Sequence, residues 1–191
     1  MPHDPRAGRG RDVKFAYADP PYLGCGASHY GYPEWDDPNR HVRLVTQLVA
    51  EYPDGWALSC NPRDLIGDGW LAVNSRVLPD DARMAAWTKT WHRIRPTTVQ
   101  YAWESVIFCG GRKDGKRPMV RDWLSCAVTR QTGLRGAKPD QFNDWILALL
   151  NYEPGDVLDD LFPGTGGMAR AIERANWQLR PRALDGDEGA P

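Results

Sequence analysis

An α/β fold built on a mostly parallel sheet is predicted by three features of the 191-residue sequence. Short β-prone runs alternate with segments of helical periodicity along most of the chain. One such run stops abruptly at Asp19-Pro20-Pro21-Tyr22. Another stops at Phe162-Pro163-Gly164-Thr165-Gly166-Gly167 and passes straight into a helical segment. Ligand sites in open α/β sheets lie at the carboxyl ends of strands, so both stops mark candidate sites.

Residues 13–18 (VKFAYA) form the first predicted strand, ended by prolines that cannot continue a central strand. A glycine-rich loop over 24–31 leads to a helix over 39–51, where Val42, Val45, Leu48 and Val49 fall at helical spacing. Pro53-Asp54-Gly55 turns the chain into a strand over 56–60. A helix is predicted around 80–91 with Asp80 or Asp81 as its cap, and one or two strands over 99–109. Residues 112–138 read as a loop-rich insert. A helix over 139–150 follows, with Phe142, Trp145, Ile146 and Leu149 on one face. A strand over 156–161, a helix over 168–175 and a last short strand near 179–184 complete the prediction. The expected organisation is a flexible leader (1–12), a single domain (13–185) carrying a short basic recognition insert at about 110–137, and a tail (186–191).

Composition narrows the class. The chain is 41% hydrophobic and 26% charged, as in soluble globular proteins, and no apolar run approaches the roughly 20 residues that span a bilayer. Residues 1–12 lack the apolar core of a secretory signal. No membrane partner is expected, and a cytoplasmic location in a prokaryotic or phage-encoded setting is. Cys25, Cys60, Cys109 and Cys126 are scattered, and His3, His29, His41 and His92 are isolated, so no metal site and no disulfide is called for. The net charge of −1 is not that of a strongly basic nucleic-acid binder. It is unevenly spread: Arg112, Lys113, Lys116, Arg117, Arg121, Arg130, Arg135 and Lys138 lie within one stretch that holds only two aspartates. Phosphate contacts are expected from that stretch.

Asp19-Pro20-Pro21-Tyr22 carries a specific chemistry. Its prolines hold the backbone extended and remove donors, leaving carbonyls free to accept. An exocyclic amine has two N–H bonds; a carboxylate takes one and a fixed backbone carbonyl the other. The amine lone pair is then drawn out of conjugation and becomes more nucleophilic. Tyr22 offers a face on which a base can stack. A surface turn would use the same tetrapeptide, and its place directly after a β run favours the site. The turn 162–167 lets a ligand approach the backbone closely, although its glycine spacing departs from G-x-G-x-x-G.

Together these motifs resemble those of the amino-methyltransferases of DNA. Residues 19–22 match their DPPY motif and residues 162–166 their FxGxG motif. Lys138-Pro139, the helix after it and the Pro154-Gly155-Asp156-Val157-Leu158-Asp159 lead-in are similar to the approach to that second motif. The catalytic motif precedes the cofactor motif, as in the permuted, beta-type order. The resemblance covers residues 15–22 and 138–172. It implies a Rossmann-like S-adenosylmethionine-dependent methyltransferase sheet in permuted order, with S-adenosyl-L-methionine as cofactor and no metal. It implies that Asp19 and the Pro20 carbonyl, held by Pro21, take the target amine and that Tyr22 stacks on the base. Asp160, Phe162, Gly164 and Gly166 would shape the cofactor pocket, Lys138 would cover its methionine end, and Asp185 would take the ribose hydroxyls.

Adenine N6 in double-stranded DNA, flipped out of the helix, is the expected target. Serine more often stands at the position of Asp19 in the cytosine-N4 enzymes, which together with RNA amino-methyltransferases are the alternatives. A catalytically silent nucleic-acid-binding module of the same fold is the alternative from another class. Three departures from the pattern stand out: Gly167 replaces a frequent threonine or serine, little chain follows Asp185, and the recognition segment is short. The short segment and an incomplete sheet edge suggest a homodimer. Trp87, Trp91 and Trp145 read as core residues on helical faces, and Trp103 as a buried strand residue beside Glu104. His29 and Tyr30 are candidates to gate the loop after the catalytic motif.

Overall fold

The computed structural model describes residues 13–90, 99, 101–113, 119–128 and 137–178. Ten elements organise them: β1 (Lys14–Ala18), α1 (Pro38–Glu51), β2 (Gly55–Cys60), the one-turn α2 (Trp70–Val73), β3 (Arg83–Lys89), β4 (Trp103–Gly110), β5 (Trp123–Cys126), α3 (Asp140–Leu149), β6 (Val157–Asp160) and α4 (Gly167–Gln178). The strands form one sheet in the order β5-β3-β4-β2-β1-β6. Pairs β1–β2, β1–β6 and β3–β5 are parallel. Only β4 runs against the others among the described strands, antiparallel to both β2 and β3. The predicted α/β class and the mostly parallel sheet are therefore observed.

Alternation along β1 explains the three layers. Phe15 and Tyr17 face a core completed by Phe142, Ile146 and Leu149 of α3 and by Met168 and Ala171 of α4. Ala16 and Ala18 face the opposite core with Leu44, Val45 and Leu48 of α1 and Trp70 of α2. A strand covered on both faces reads as a continuous apolar run, which is why residues 13–18 were legible as sequence. Helix α1 buries His41, Leu44, Val45 and Leu48, one face at helical spacing, and the Asp37 side chain caps it by accepting from the Asn39 N–H at 2.9 Å. Helix α3 buries Phe142, Trp145, Ile146 and Leu149 as its periodicity predicts.

Three expectations are corrected. Residues 83–89 are a strand, not part of a helix over 80–91: Ala85 and Trp87 alternate inward while β4 pairs with the backbone from Arg83 to Thr88. The local alanines and methionine favour a helix, and sheet pairing overrides them. Trp103 is 41% exposed rather than buried, because it stands at the beginning of β4, paired with Thr88 of β3 but beyond the last residue that pairs with β2. The insert expected to be loop-rich holds β5, which extends the sheet beyond β3. The predicted strand near 179–184, the leader and the tail lie outside the described residues, as do residues 91–98 with the end of the predicted helix.

Candidate active site

The parallel strands β1 and β6 are neighbours, with Tyr17 beside Asp160. Both therefore deliver their carboxyl-terminal residues to the same end of the sheet, where Asp19 also meets Lys138 from 119 residues away. Asp19, Pro21, Lys138, Asp160, Phe162 and Gly164 share the wall of a cavity of about 530 Å³. That size lies within the range of roughly 300–1,000 Å³ usual for small-molecule sites. Gly164 and Gly166 adopt φ of +46° and +72°, the left-handed region in which a side chain is strained, so the turn after β6 needs glycine at both. The Asp160 carboxylate accepts the Phe162 N–H at 3.2 Å and stabilises the start of this turn. Phe162 packs edge-on against Trp35, 5.0 Å between ring centres, which ties the glycine-rich turn to the loop that follows the Asp-Pro-Pro-Tyr tetrapeptide.

That loop is itself held by one carboxylate. Asp36 accepts the backbone N–H groups of Gly24, Gly26 and Ala27, each at 2.9 Å, and these bonds hold its carboxyl below the ordinary aspartate range. The arrangement brings Tyr30, Tyr32, Glu34 and Trp35 to the cavity wall.

At the other side of the cavity lies a compact charge network. Lys138 Nζ donates to Asp19 Oδ1 at 2.9 Å and sits 3.1 Å from Glu104 Oε2. The Tyr22 hydroxyl donates to the same Glu104 oxygen at 2.8 Å, and Lys89 pairs with Glu104 Oε1. The rings of Tyr22, Phe142 and Trp87 surround the Lys138 ammonium at 5.6, 5.8 and 5.9 Å. Burial pushes the Asp19 carboxyl up, and repulsion from Glu104 adds to this against the pull of Lys138; the net direction is upward. Burial pushes Glu104 up as well, but Lys138, Lys89 and the Tyr22 hydroxyl outweigh it and bring the carboxyl to about 2. Lys138 is destabilised as a cation by burial, yet Asp19 and Glu104 hold it well above the ordinary lysine range. Asp160 is raised by burial, with Asp19 contributing.

The structure thus brings together Asp19, Pro21, Lys138, Asp160, Phe162 and Gly164, while Gly166 shapes the turn from outside the wall. Tyr22 lies beside the cavity with its hydroxyl committed to Glu104, and Pro20 is buried. Arg112, Lys113 and Arg121 are at the opposite end of the sheet. The Arg112 backbone N–H bonds Leu150 and its guanidinium pairs with Asp156. Lys113 lines a separate hollow beside Gly110 and Gly111, and the Arg121 guanidinium lies 5.4 Å from the Trp123 ring centre. Lys116, Arg117, Arg130, Arg135 and Asp185 lie outside the described residues. Sequence reasoning missed Lys89, Glu34 and the central place of Glu104. The available signal was a lone carboxylate within an aromatic, β-branched run, in a chain with only five lysines.

Gly167 also acquires a reason. A Cβ at this position would stand 2.6 Å from Asn143 Nδ2, and the buried Asn143 lines the cavity from α3. Asparagine occupies the space that threonine or serine at 167 would take.

No protein-family model and no curated protein sequence matches the chain. Solved structures do match. The SAM complex of M1.HpyAVI superposes with a TM-score of 0.55 at 16% identity, over 86% of this chain and 79% of that one. TTHA0409 of Thermus thermophilus, a proposed DNA modification methylase complexed with S-adenosyl-L-methionine, superposes with a TM-score of 0.57 at 15% identity, over 86% and 78% of the two chains. The chain shares their fold. At these identities the likeness concerns architecture alone: a six-stranded, mostly parallel sheet. No described helix is long and apolar enough to cross a membrane, and no described cluster of three metal-ligating side chains exists.

Proposed function

We propose that this protein is an S-adenosyl-L-methionine-dependent DNA methyltransferase that acts on the exocyclic N6 of adenine. One observation carries the reading: Asp19, at the carboxyl end of β1, opens on the same cavity as the glycine-rich turn after β6. The likeness to structures that hold S-adenosyl-L-methionine supports it. The donor set fits the cofactor: a cavity of about 530 Å³, a turn with two left-handed glycines, and carboxylates and aromatic rings on its wall. Phe162, Gly164 and Asp160 would hold it, with Asn143 on the α3 side and the Tyr30–Trp35 loop as the facing wall. When bound, S-adenosyl-L-methionine supplies a methyl group already activated by its sulfonium charge.

The chain's own residues then act by orientation and polarisation. Asp19 Oδ2 accepts one hydrogen of the target amine and the Pro20 carbonyl the other. Lys138 holds Asp19 Oδ1 and favours the ionised form at the pH where the base is to be bound. A base within a duplex must leave the stack to reach this cavity, at a cost of a few kcal/mol. In this reading Lys116, Arg117, Arg130 and Arg135 of the basic stretch offset duplex charge, whereas Arg112, Lys113 and Arg121 at the far end of the sheet do not, so binding weakens with salt.

The test is incubation with labelled S-adenosyl-L-methionine and unmethylated DNA, followed by nucleoside mass spectrometry, beside an Asp19→Ala control. N6-methyladenine that disappears in the control is the expected result. N4-methylcytosine would keep the amine chemistry and replace the base. Cofactor binding with no methylated nucleoside on DNA or RNA would refute the enzyme and leave a silent binding module.

A further inference from the structure

Glu104 engages three side chains beside the cavity, and nothing in the amine chemistry above uses it. It reaches the site from β4, the one described strand that runs against the rest, and it receives partners from three other segments. These are Tyr22 after β1, Lys89 at the end of β3, and Lys138 before α3. Lys138 is shared: its Nζ stands 2.9 Å from Asp19 Oδ1 and 3.1 Å from Glu104 Oε2. Among the described residues no hydrogen bond reaches Asp19 Oδ2.

We propose that Glu104 is a positioning residue for the methyl-transfer site. It takes up part of the Lys138 ammonium and the Tyr22 hydroxyl, so that Lys138 grips a single oxygen of Asp19 and leaves the second free for the target amine. The consequence is electrostatic as well as geometric. An ammonium held by Asp19 alone would neutralise that carboxylate and weaken it as an acceptor; divided between two carboxylates, it orients Asp19 at lower cost to its basicity. Lys89 balances the second carboxylate, so two cations and two anions meet in a buried cluster. The other titratable groups facing Asp19 are Tyr17 from β1, Tyr30 from the following loop and Asp160 from β6. All three are neutral or distant enough to act more weakly on Asp19 than Glu104 and Lys138 do.

Rotating or removing this anion separates a positioning role from plain structural support. The Asp19 carboxyl is followed by carbon-13 NMR on cofactor-free protein, with Asp19→Asn as the assignment control. In Glu104→Gln the Asp19 midpoint moves to lower pH by about one unit, because Lys138 then answers to Asp19 alone. In Lys138→Met it moves the other way. In active protein, Glu104→Gln lowers kcat for methyl transfer about tenfold, with cofactor Kd unchanged, and carries the acid limb of kcat/KM downward with the Asp19 midpoint. A merely structural Glu104 would lower Tm and turnover and leave the midpoint where it was, which overturns the proposal. Should Glu104→Gln fail to fold, Tyr22→Phe is read instead. It removes the hydroxyl that donates to Glu104 Oε2, so Glu104 takes more of Lys138; an upward move of the Asp19 midpoint supports the network and an unmoved one refutes it. The turnover arm rests on the methyltransferase reading and the titration does not. A wild type that never methylates refutes that reading, whereas an active wild type with an unmoved midpoint in Glu104→Gln refutes the role of Glu104.

Discussion

The two ends of the sheet each bury a cation against carboxylates, and they use it differently. At the amino-terminal end of β6, Arg112 pairs with Asp156, whose side chain is 4% exposed, and approaches Glu153 at 3.6 Å. Its carbonyl accepts from Asn151 at 3.3 Å, and Asp156 accepts the Glu153 N–H at 2.8 Å. Each of these partners belongs to a chain turn, and the planar guanidinium fork stitches the end of β4 to the turn before β6. At the carboxyl end, Lys138 meets Asp19 and Glu104 beside a cavity, ringed by aromatic faces. A compact ammonium holds two carboxylates without fixing both oxygens of either. Ion pairing by itself therefore does not mark a site; the proposed function rests on the end where the shared cation's carboxylate also lines a cavity.

The contrast can be broken in four ways, from the largest expected effect to the smallest. Asp19→Ala should lower methyl transfer by about 10²–10⁴-fold, within the span of a positioned polar catalyst, while cofactor affinity by calorimetry stays within about twofold. Retained transfer would remove Asp19 from the chemistry.

Lys138→Met and Arg112→Met each leave a buried carboxylate unpaired, so urea denaturation should show each losing about 3–5 kcal/mol. Under conditions where both variants are fully folded, only Lys138→Met should also lose kcat. Equal kcat losses would mean that the two ends do not differ in function.

Acid stability offers a smaller effect with a definite sign. Glu104 falls from an ordinary 4.5 to about 2 on folding. It contributes stability above its unfolded value, and that contribution disappears as pH falls through about 2. Tm should therefore drop between pH 4.5 and 2, and Glu104→Gln should flatten that part of the profile. An unchanged slope would show that Glu104 gains little from its lysines. Finally, Gly167→Ala should cost about 1 kcal/mol, since its Cβ pushes the end of Asn143 off the Pro139 carbonyl, and crystallography would show the amide displaced into the cavity. An unmoved Asn143 would mean that the Asn143 amide does not dictate glycine at this position.

Much of this molecule was legible before folding because the signals are local. Residues 13–18 read as a strand since both faces are apolar, α1 and α3 since their buried positions recur at helical spacing, and the turn after β6 since glycine alone tolerates its φ values. The sequence by itself determined where the two motifs lie and that both end strands. It misread residues 83–89, where alanine and methionine favour a helix and the hydrogen bonds of β4 and β5 on either side make a strand. It placed Trp103 inside, because burial of a strand's first residue depends on what packs beyond it. Only the tertiary structure decided that Lys138 answers Asp19, that Glu104 and Lys89 complete the network, and that Arg112 serves the other end of the sheet. Periodicity reports which face of an element is apolar, whereas a salt bridge between residues 119 positions apart requires strand order and direction, which no local pattern encodes.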